Sequence, residues 1–294
     1  MAGENHKEKM ARRAFLIVMC SVAAISTSSL FVRFSNCPAI VLAAYRNCIA
    51  ALLLVPVVFT RYRAELFSMK KRTLALSVLA GICFGLHLSF YFEGVHHTTI
   101  AAAQVLSALE VIVVALALFV SGREKYSAAG WTGIAITLAG AVIVSAFGNT
   151  EGSSSLYGNL CAAASAVFIA AWTLISSRVR RDVSNIPHVF TAFTVAGLFL
   201  AVVITAGGTP LFGYGPVNYL CAFMMAVICS LLSHAVFTWS FKYVSPTLVT
   251  LAKLLIPVWG SLWGFLFLSE LPALNHIIGG VIVIAGIVLY IKKK

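Results

Sequence analysis

The chain alternates long apolar runs with short polar breaks. Ten apolar runs of ~20 residues, long enough to cross a bilayer, fall near 14–34, 38–59, 73–93, 98–120, 127–147, 157–177, 187–206, 219–241, 246–268 and 272–291. The runs lack the every-second-residue alternation of a membrane barrel strand, so helices are predicted. The breaks carry Gly, Pro, Asn and Ser, as at Gly148-Asn149 and Gly207-Gly208-Thr209-Pro210, and none is long enough to separate soluble domains. The expected fold is an all-α integral membrane protein with ten transmembrane helices.

The pattern also repeats. His234 follows His87 by 147 residues, and Phe237 follows Phe90 by the same step. That step sets Thr98-Thr99 against Ser245-Pro246 and Glu110 against Pro257. It drops to 146 for Glu124 with Glu270, Gly133 with Gly279 and Gly140 with Gly286. A repeat of this length is an architectural signal. Five spans per copy is an odd number, so the second copy must enter the bilayer from the opposite face. The prediction is two inverted five-helix repeats, residues 14–148 and 157–291, between an N-terminal tail (1–13) and a short C-terminus (292–294). Depth agrees: His87 falls about 6 Å outward of its span centre and His234 about 6 Å inward of its own, at 1.5 Å per residue.

Composition excludes a soluble domain. Of 294 residues, 61% are hydrophobic and 10% charged, against roughly 25% charged in soluble proteins. The net charge of +12 raises nucleic acid as a partner, but the Lys and Arg flank the apolar runs and form no aromatic-interleaved stripe, so none is expected. Of the 21 Lys and Arg, Arg33 alone falls on one side, Arg46 and Lys253 lie within spans, and the rest share the other side. That bias puts both termini in the cytoplasm, and the bacterial inner (plasma) membrane is the expected location. Lys7–Arg13 ahead of 14–34 resembles a signal peptide, but its apolar part is too long, so a retained first helix is expected. The seven cysteines are an odd number and sit mostly within apolar runs, as small core residues do.

Ionisable groups at mid-membrane cost a few kcal/mol. Glu110 lies mid-way along the fourth span, with Gln104 and Ser107 on its face; it reads as a cavity carboxylate for a cation or proton, or as a buried acid paired with Arg46 or a hydroxyl. Lys253 in the ninth span reads as a ligand for an anion, as a partner of Glu110 that substrate displaces, or as a snorkelling lysine. His87 and His234 can donate to substrate or shuttle protons, yet interhelical hydrogen bonding is the commoner role; aromatics including Phe90 and Tyr91 continue the His87 stripe. Trp172 can stack on an organic substrate or simply pack. Ser26 to Ser29, with Ser28 among them, permit close helix approach or line water. Arg46 is expected in a structural ion pair, and Glu124 and Glu270 in structural or gating roles at span ends. Gly81-x-x-x-Gly85, Gly260-x-x-x-Gly264 and the glycines at 133, 140, 279, 280 and 286 read as close helix contacts. No metal-ligand spacing or phosphate loop appears, so no cofactor, metal or direct ATP drive is expected.

Taken together, the chain resembles the EamA-type families of the drug/metabolite transporter superfamily. The resemblance runs from Ala14 to Tyr290 and rests on Arg46, His87, Thr98-Thr99, Glu124, Gly133 and Gly140, then on His234, Ser245-Pro246, Pro257, Glu270, Gly279 and Gly286. It implies a central cavity between the repeats, with Ser28, His87, Glu110, Trp172, His234 and Lys253 near it if their faces point inward. Two departures stand out: Glu110 where many relatives carry Pro, and Ile256 where many carry Glu before Pro257. The expected function is secondary transport of a small polar or amphipathic organic metabolite, such as an amino acid or nucleoside-like compound, by alternating access, with a proton as possible coupling ion; monomer and homodimer are both open. A membrane-embedded enzyme is the alternative: Ser230 and His234 have helical spacing, but no orienting acid is evident. A channel, with flux that fails to saturate, ranks below transport.

Overall fold

A computed structural model describes residues 2–98, 100–146, 155–269 and 274–293. Every regular element among them is helical, as expected where lipid leaves backbone groups no partner but their own helix. The spans are 1 (Glu8–Phe34), 2 (Ala39–Ser68), 3 (Lys71–His97), 6 (Leu156–Val179), 7 (Asn185–Ala206), 8 (Pro216–Ser240) and 10 (Leu274–Lys293). Span 5 is Ala128–Ala146. Spans 4 and 9 come in two pieces, Ile100–Ser107 with Glu110–Val120, and Pro246–Lys253 with Ile256–Leu268. Each of the ten apolar runs is helical over nearly all of its described residues; the helix of span 1 begins six residues before the run read from the pattern, and that of span 2 extends nine residues beyond it. Hydroxyls inside spans turn back onto the preceding turn, as in Ser77 to Thr73 O (3.0 Å), Ser89 to Gly85 O (3.0 Å) and Thr194 to Phe190 O (2.8 Å). This satisfies them without a partner helix.

The chain divides into two compact units that do not coincide with the sequence repeats. The first holds Met1–Ser89 and Ala171–Val244; the second holds Phe90–Ala170 and Ser245–Lys294. Two of the three divisions fall inside spans 3 and 6, and the third falls in the connection between spans 8 and 9.

In the first unit, glycines set how closely helices approach. A Cβ on Gly197 would lie 2.5 Å from Cys48 Sγ, and one on Gly81 would lie 2.6 Å from Ala192 O, so span 7 packs against spans 2 and 3 with little between them. Buried His188 meets Ser77 Oγ through Nδ1 at 3.0 Å. Span 8 departs from α-geometry: Ala226–His234 is a nine-residue π-helix, and Ser233 Oγ donates five residues back to Ile228 O at 2.8 Å. Such wide turns recur at functional sites. Span 1 breaks at Thr27, whose N–H reverts to Ala24 O (3.2 Å) while its hydroxyl also donates there (2.7 Å). Ser26 and Ser29 donate to carbonyls three residues back as well. The serine patch therefore interrupts its own helix.

In the second unit, spans 5 and 10 pack backbone on backbone. A Cβ on Gly140 would lie 2.7 Å from Val283 N; one on Gly279, 2.7 Å from Gly140 O; one on Gly133, 2.8 Å from Tyr290 N. The close-contact reading holds for these glycines. It fails at Gly260, where a Cβ would meet nothing within 4 Å. Ser245 caps span 9 by accepting from Leu248 N at 3.3 Å, with Pro246 opening the helix.

Candidate functional site

The second unit contains a buried ion pair. Lys253 Nζ donates to Glu110 Oε1 at 2.8 Å and to Oε2 at 2.6 Å, with side chains 11% and 8% exposed. Each group sits at a helix interruption. Glu110 is the first residue of the outgoing half of span 4, and Lys253 the last residue of the incoming half of span 9. A helix N-terminus favours negative charge and a C-terminus positive charge, so both ends support the charge they carry. The interruptions fall at matched points of the two repeats. In span 9 the cause is Pro257, which belongs in a helix's first turn and not its interior. Span 4 has no proline; it tightens into three-residue turns, Leu109 N to Leu106 O (3.1 Å) and Val111 N to Ala108 O (3.1 Å). Of the roles open to Lys253, the ion pair is the one present, and snorkelling is not seen.

The first unit gathers His87, Trp172 and His234 around Phe84. The Phe84 ring lies 6.2 Å from His87, 5.2 Å from Trp172 and 4.7 Å from His234, centre to centre. Trp172 and His234 meet edge-on at 5.5 Å. Phe84 is fully buried and Trp172 is 1% exposed. The Trp172 indole N–H and the Ser176 and Ser230 hydroxyls are buried and make no hydrogen bond among the described residues. Buried polar groups are nearly always satisfied, so this cluster holds unused hydrogen-bonding capacity beside aromatic faces. Phe84 was not singled out from the sequence. Its signal is its place one turn before His87 on the same face.

Glu124 accepts from Tyr126 OH at 3.0 Å and Tyr290 OH at 3.3 Å; Tyr126 also meets Thr247 Oγ1 at 2.8 Å. This second-unit cluster ties the end of span 4 to spans 9 and 10. Ser28 is half-buried just past the break in span 1; Tyr91, Gln104 and Ser107 are half-buried in the second unit. Arg46 is buried (6% exposed), but the ion pair expected for it is not found among the described residues. Glu270 lies outside the described residues.

A family model described as the EamA-like transporter family matches the chain twice, over residues 12–146 and 156–292. An uncharacterized transporter of Archaeoglobus fulgidus is 25% identical over 256 residues, covering 86% of this chain and 88% of that protein. The pseudopaline exporter CntI of Pseudomonas aeruginosa is 26% identical over 264 residues, covering 87% of each. A crystal structure of a further protein, 21% identical, matches 95% of this chain and 96% of its own with a TM-score of 0.78, a likeness of fold alone.

Proposed function

We propose that this chain, which belongs to the EamA-like transporter family and is a membrane transporter, moves a small polar or amphipathic organic metabolite by alternating access of two inverted repeats, 14–148 and 157–291. The observation that carries the mechanism is the Glu110–Lys253 pair at two matched helix interruptions. Removing one partner from a buried ion pair costs about 3–5 kcal/mol, because the other charge stays behind uncompensated. The pair therefore opens readily only when something replaces the lost partner. A cationic group of the substrate, or a proton on Glu110, does so. Occupancy is thereby coupled to rearrangement at the broken helices, which hinge more easily than continuous ones. Discontinuous helices with charge-complementary ends are a recurring way to build a midplane site. Trp172, Phe84 and His87 supply aromatic surface for the organic body, and the Trp172 N–H and Ser230 hydroxyl supply hydrogen bonds. Ser28 and His234 in the first unit, and Tyr91, Gln104 and Ser107 in the second, are further candidates for polar contact with substrate, while Glu124, Glu270 and Pro257 keep structural or gating roles in this reading. Both termini are assigned to the cytoplasm from the distribution of Lys and Arg.

The test is uptake and efflux in proteoliposomes carrying the wild type, Glu110→Gln or Lys253→Met, loaded with a mixed metabolite extract and read by mass spectrometry. The wild type should concentrate or exchange at least one metabolite, and each variant should lose most of that flux. Equal flux in both variants would remove the ion pair from the mechanism, and flux that rises without saturation would point to a channel.

A further inference from the structure

Arg46 is the charge in the spans that the ion pair leaves unexplained. It lies about 10 Å along span 2 from Ala39, at 1.5 Å per residue, inside the apolar run and not at its end. It is 6% exposed, so its head does not snorkel to either surface. A guanidinium presents five N–H donors. Neither a hydrogen bond nor an ion pair joins Arg46 to any described residue, and its Nε is fully enclosed.

Its neighbours are chemically specific. Span 2 packs against the π-helical stretch of span 8 that carries Cys229. Cys229 belongs to the π-helical stretch of span 8 and points its Sγ toward Ile25 O at 3.9 Å, beside the break in span 1 at Thr27. The next residue, Ser230, keeps its buried hydroxyl unpartnered. One turn further on, His234 joins the Phe84–Trp172 cluster. All of these groups belong to the first unit. A buried cation, buried spare donors and aromatic faces thus run along one stretch of span 8 and the helices packed on it.

An isolated charge in a low-dielectric interior is costly unless an opposite charge meets it. Among the described residues the buried charges within spans are Glu110, Lys253 and Arg46. The first two cancel, and Arg46 remains. We propose that Arg46 is a substrate-binding residue that takes a carboxylate of the transported metabolite, which assigns the substrate to organic acids and amino-acid-like compounds bearing an aromatic or apolar body. A planar carboxylate matches the guanidinium fork with two parallel hydrogen bonds. One guanidinium balances one negative charge, so a monoanion fits and a phosphate dianion does not. The Ser230 hydroxyl, next in sequence to Cys229, is a further buried donor without a partner among the described residues. This inference rests on the transport reading above and narrows its substrate class.

The experiment uses the full-length protein purified in detergent and reads thermal unfolding, since a ligand that binds the folded state raises apparent stability by mass action. The probes are indole-3-acetate, phenylacetate and hexanoate, each against its own amide, with inorganic phosphate as a separate arm. At least one acid should raise the Tm of the wild type while its amide and phosphate do not. Arg46→Lys should keep the preference for acid with affinity about tenfold lower. Arg46→Gln should abolish it. If Arg46→Gln does not fold, the acid-against-amide contrast in the wild type and in Arg46→Lys decides alone. No shift with any acid, equal shifts with acid and amide, a larger shift with phosphate, or an acid shift surviving in Arg46→Gln would overturn the assignment. The transport reading stands or falls separately: flux that Arg46→Gln leaves intact but Glu110→Gln removes would sink the Arg46 role alone.

Discussion

The two compact units handle buried charge within their spans in opposite ways. In the second, the charges within the spans meet at 2.6 Å and Glu124 is held by two phenols. In the first, Arg46, Trp172, Ser176 and Ser230 bury polar atoms with no partner among the described residues. An unmet buried group costs about 1–3 kcal/mol, and more if charged. The difference teaches where each unit has been left incomplete. The second pairs its buried charges, while Ser107 Oγ and His276 Nδ1 stay buried there without a hydrogen-bond partner among the described residues. The first carries a standing deficit that a ligand can fill.

The contrast breaks most sharply at the ion pair. Glu110→Gln or Lys253→Met alone should lower stability by about 3–5 kcal/mol, whereas the two together should recover most of that loss; thermal unfolding of the three variants in detergent checks it. A double variant no more stable than the singles would mean the pair is not the self-contained unit described. Next come the glycines of the second unit. Gly140→Ala places a Cβ 2.7 Å from Val283 N and should cost about 1–3 kcal/mol, while Gly260→Ala, with nothing within 4 Å, should stay within about 0.5 kcal/mol of wild type. Equal costs at both sites would contradict the close packing of spans 5 and 10. A modest effect on stability is expected in the first unit. Trp172→Phe keeps an aromatic ring against Phe84 but removes an N–H that bonds to no described residue, so stability should change by less than about 1.5 kcal/mol. Substrate affinity, measured as half-saturation of flux, should fall by more than the stability change alone accounts for. A loss of several kcal/mol would show that the N–H is structurally engaged.

Much of this was readable before any coordinates. Lipid demands helices of a fixed length, so the ten apolar runs located the spans. The repeat offset set Glu110 against Pro257, which is where both interrupted helices turn out to break. The Glu110–Lys253 pair was one of three roles open to Lys253. Other features have no one-dimensional signature. Span 4 breaks without a proline, because tight turns there are decided by what packs and pairs around Glu110. The π-helix in span 8 follows from the tertiary surroundings of an otherwise ordinary apolar sequence. A small-x-x-x-small spacing tells which residues would permit close approach but not whether a neighbour is present, which separates Gly140 from Gly260. Arg46 was expected to find an acid, and a sequence cannot reveal that a charge has been left alone.

The glycine seam between spans 5 and 10 carries a mechanical consequence. With no side chain filling the gap, the two backbones interlock like teeth, and sliding either by a single residue drives a Cβ or a carbonyl into the other. The last helix of each repeat is thereby locked to its counterpart as a keel. Within the second unit that seam is the part least able to yield, and the interrupted spans 4 and 9 are the parts that can.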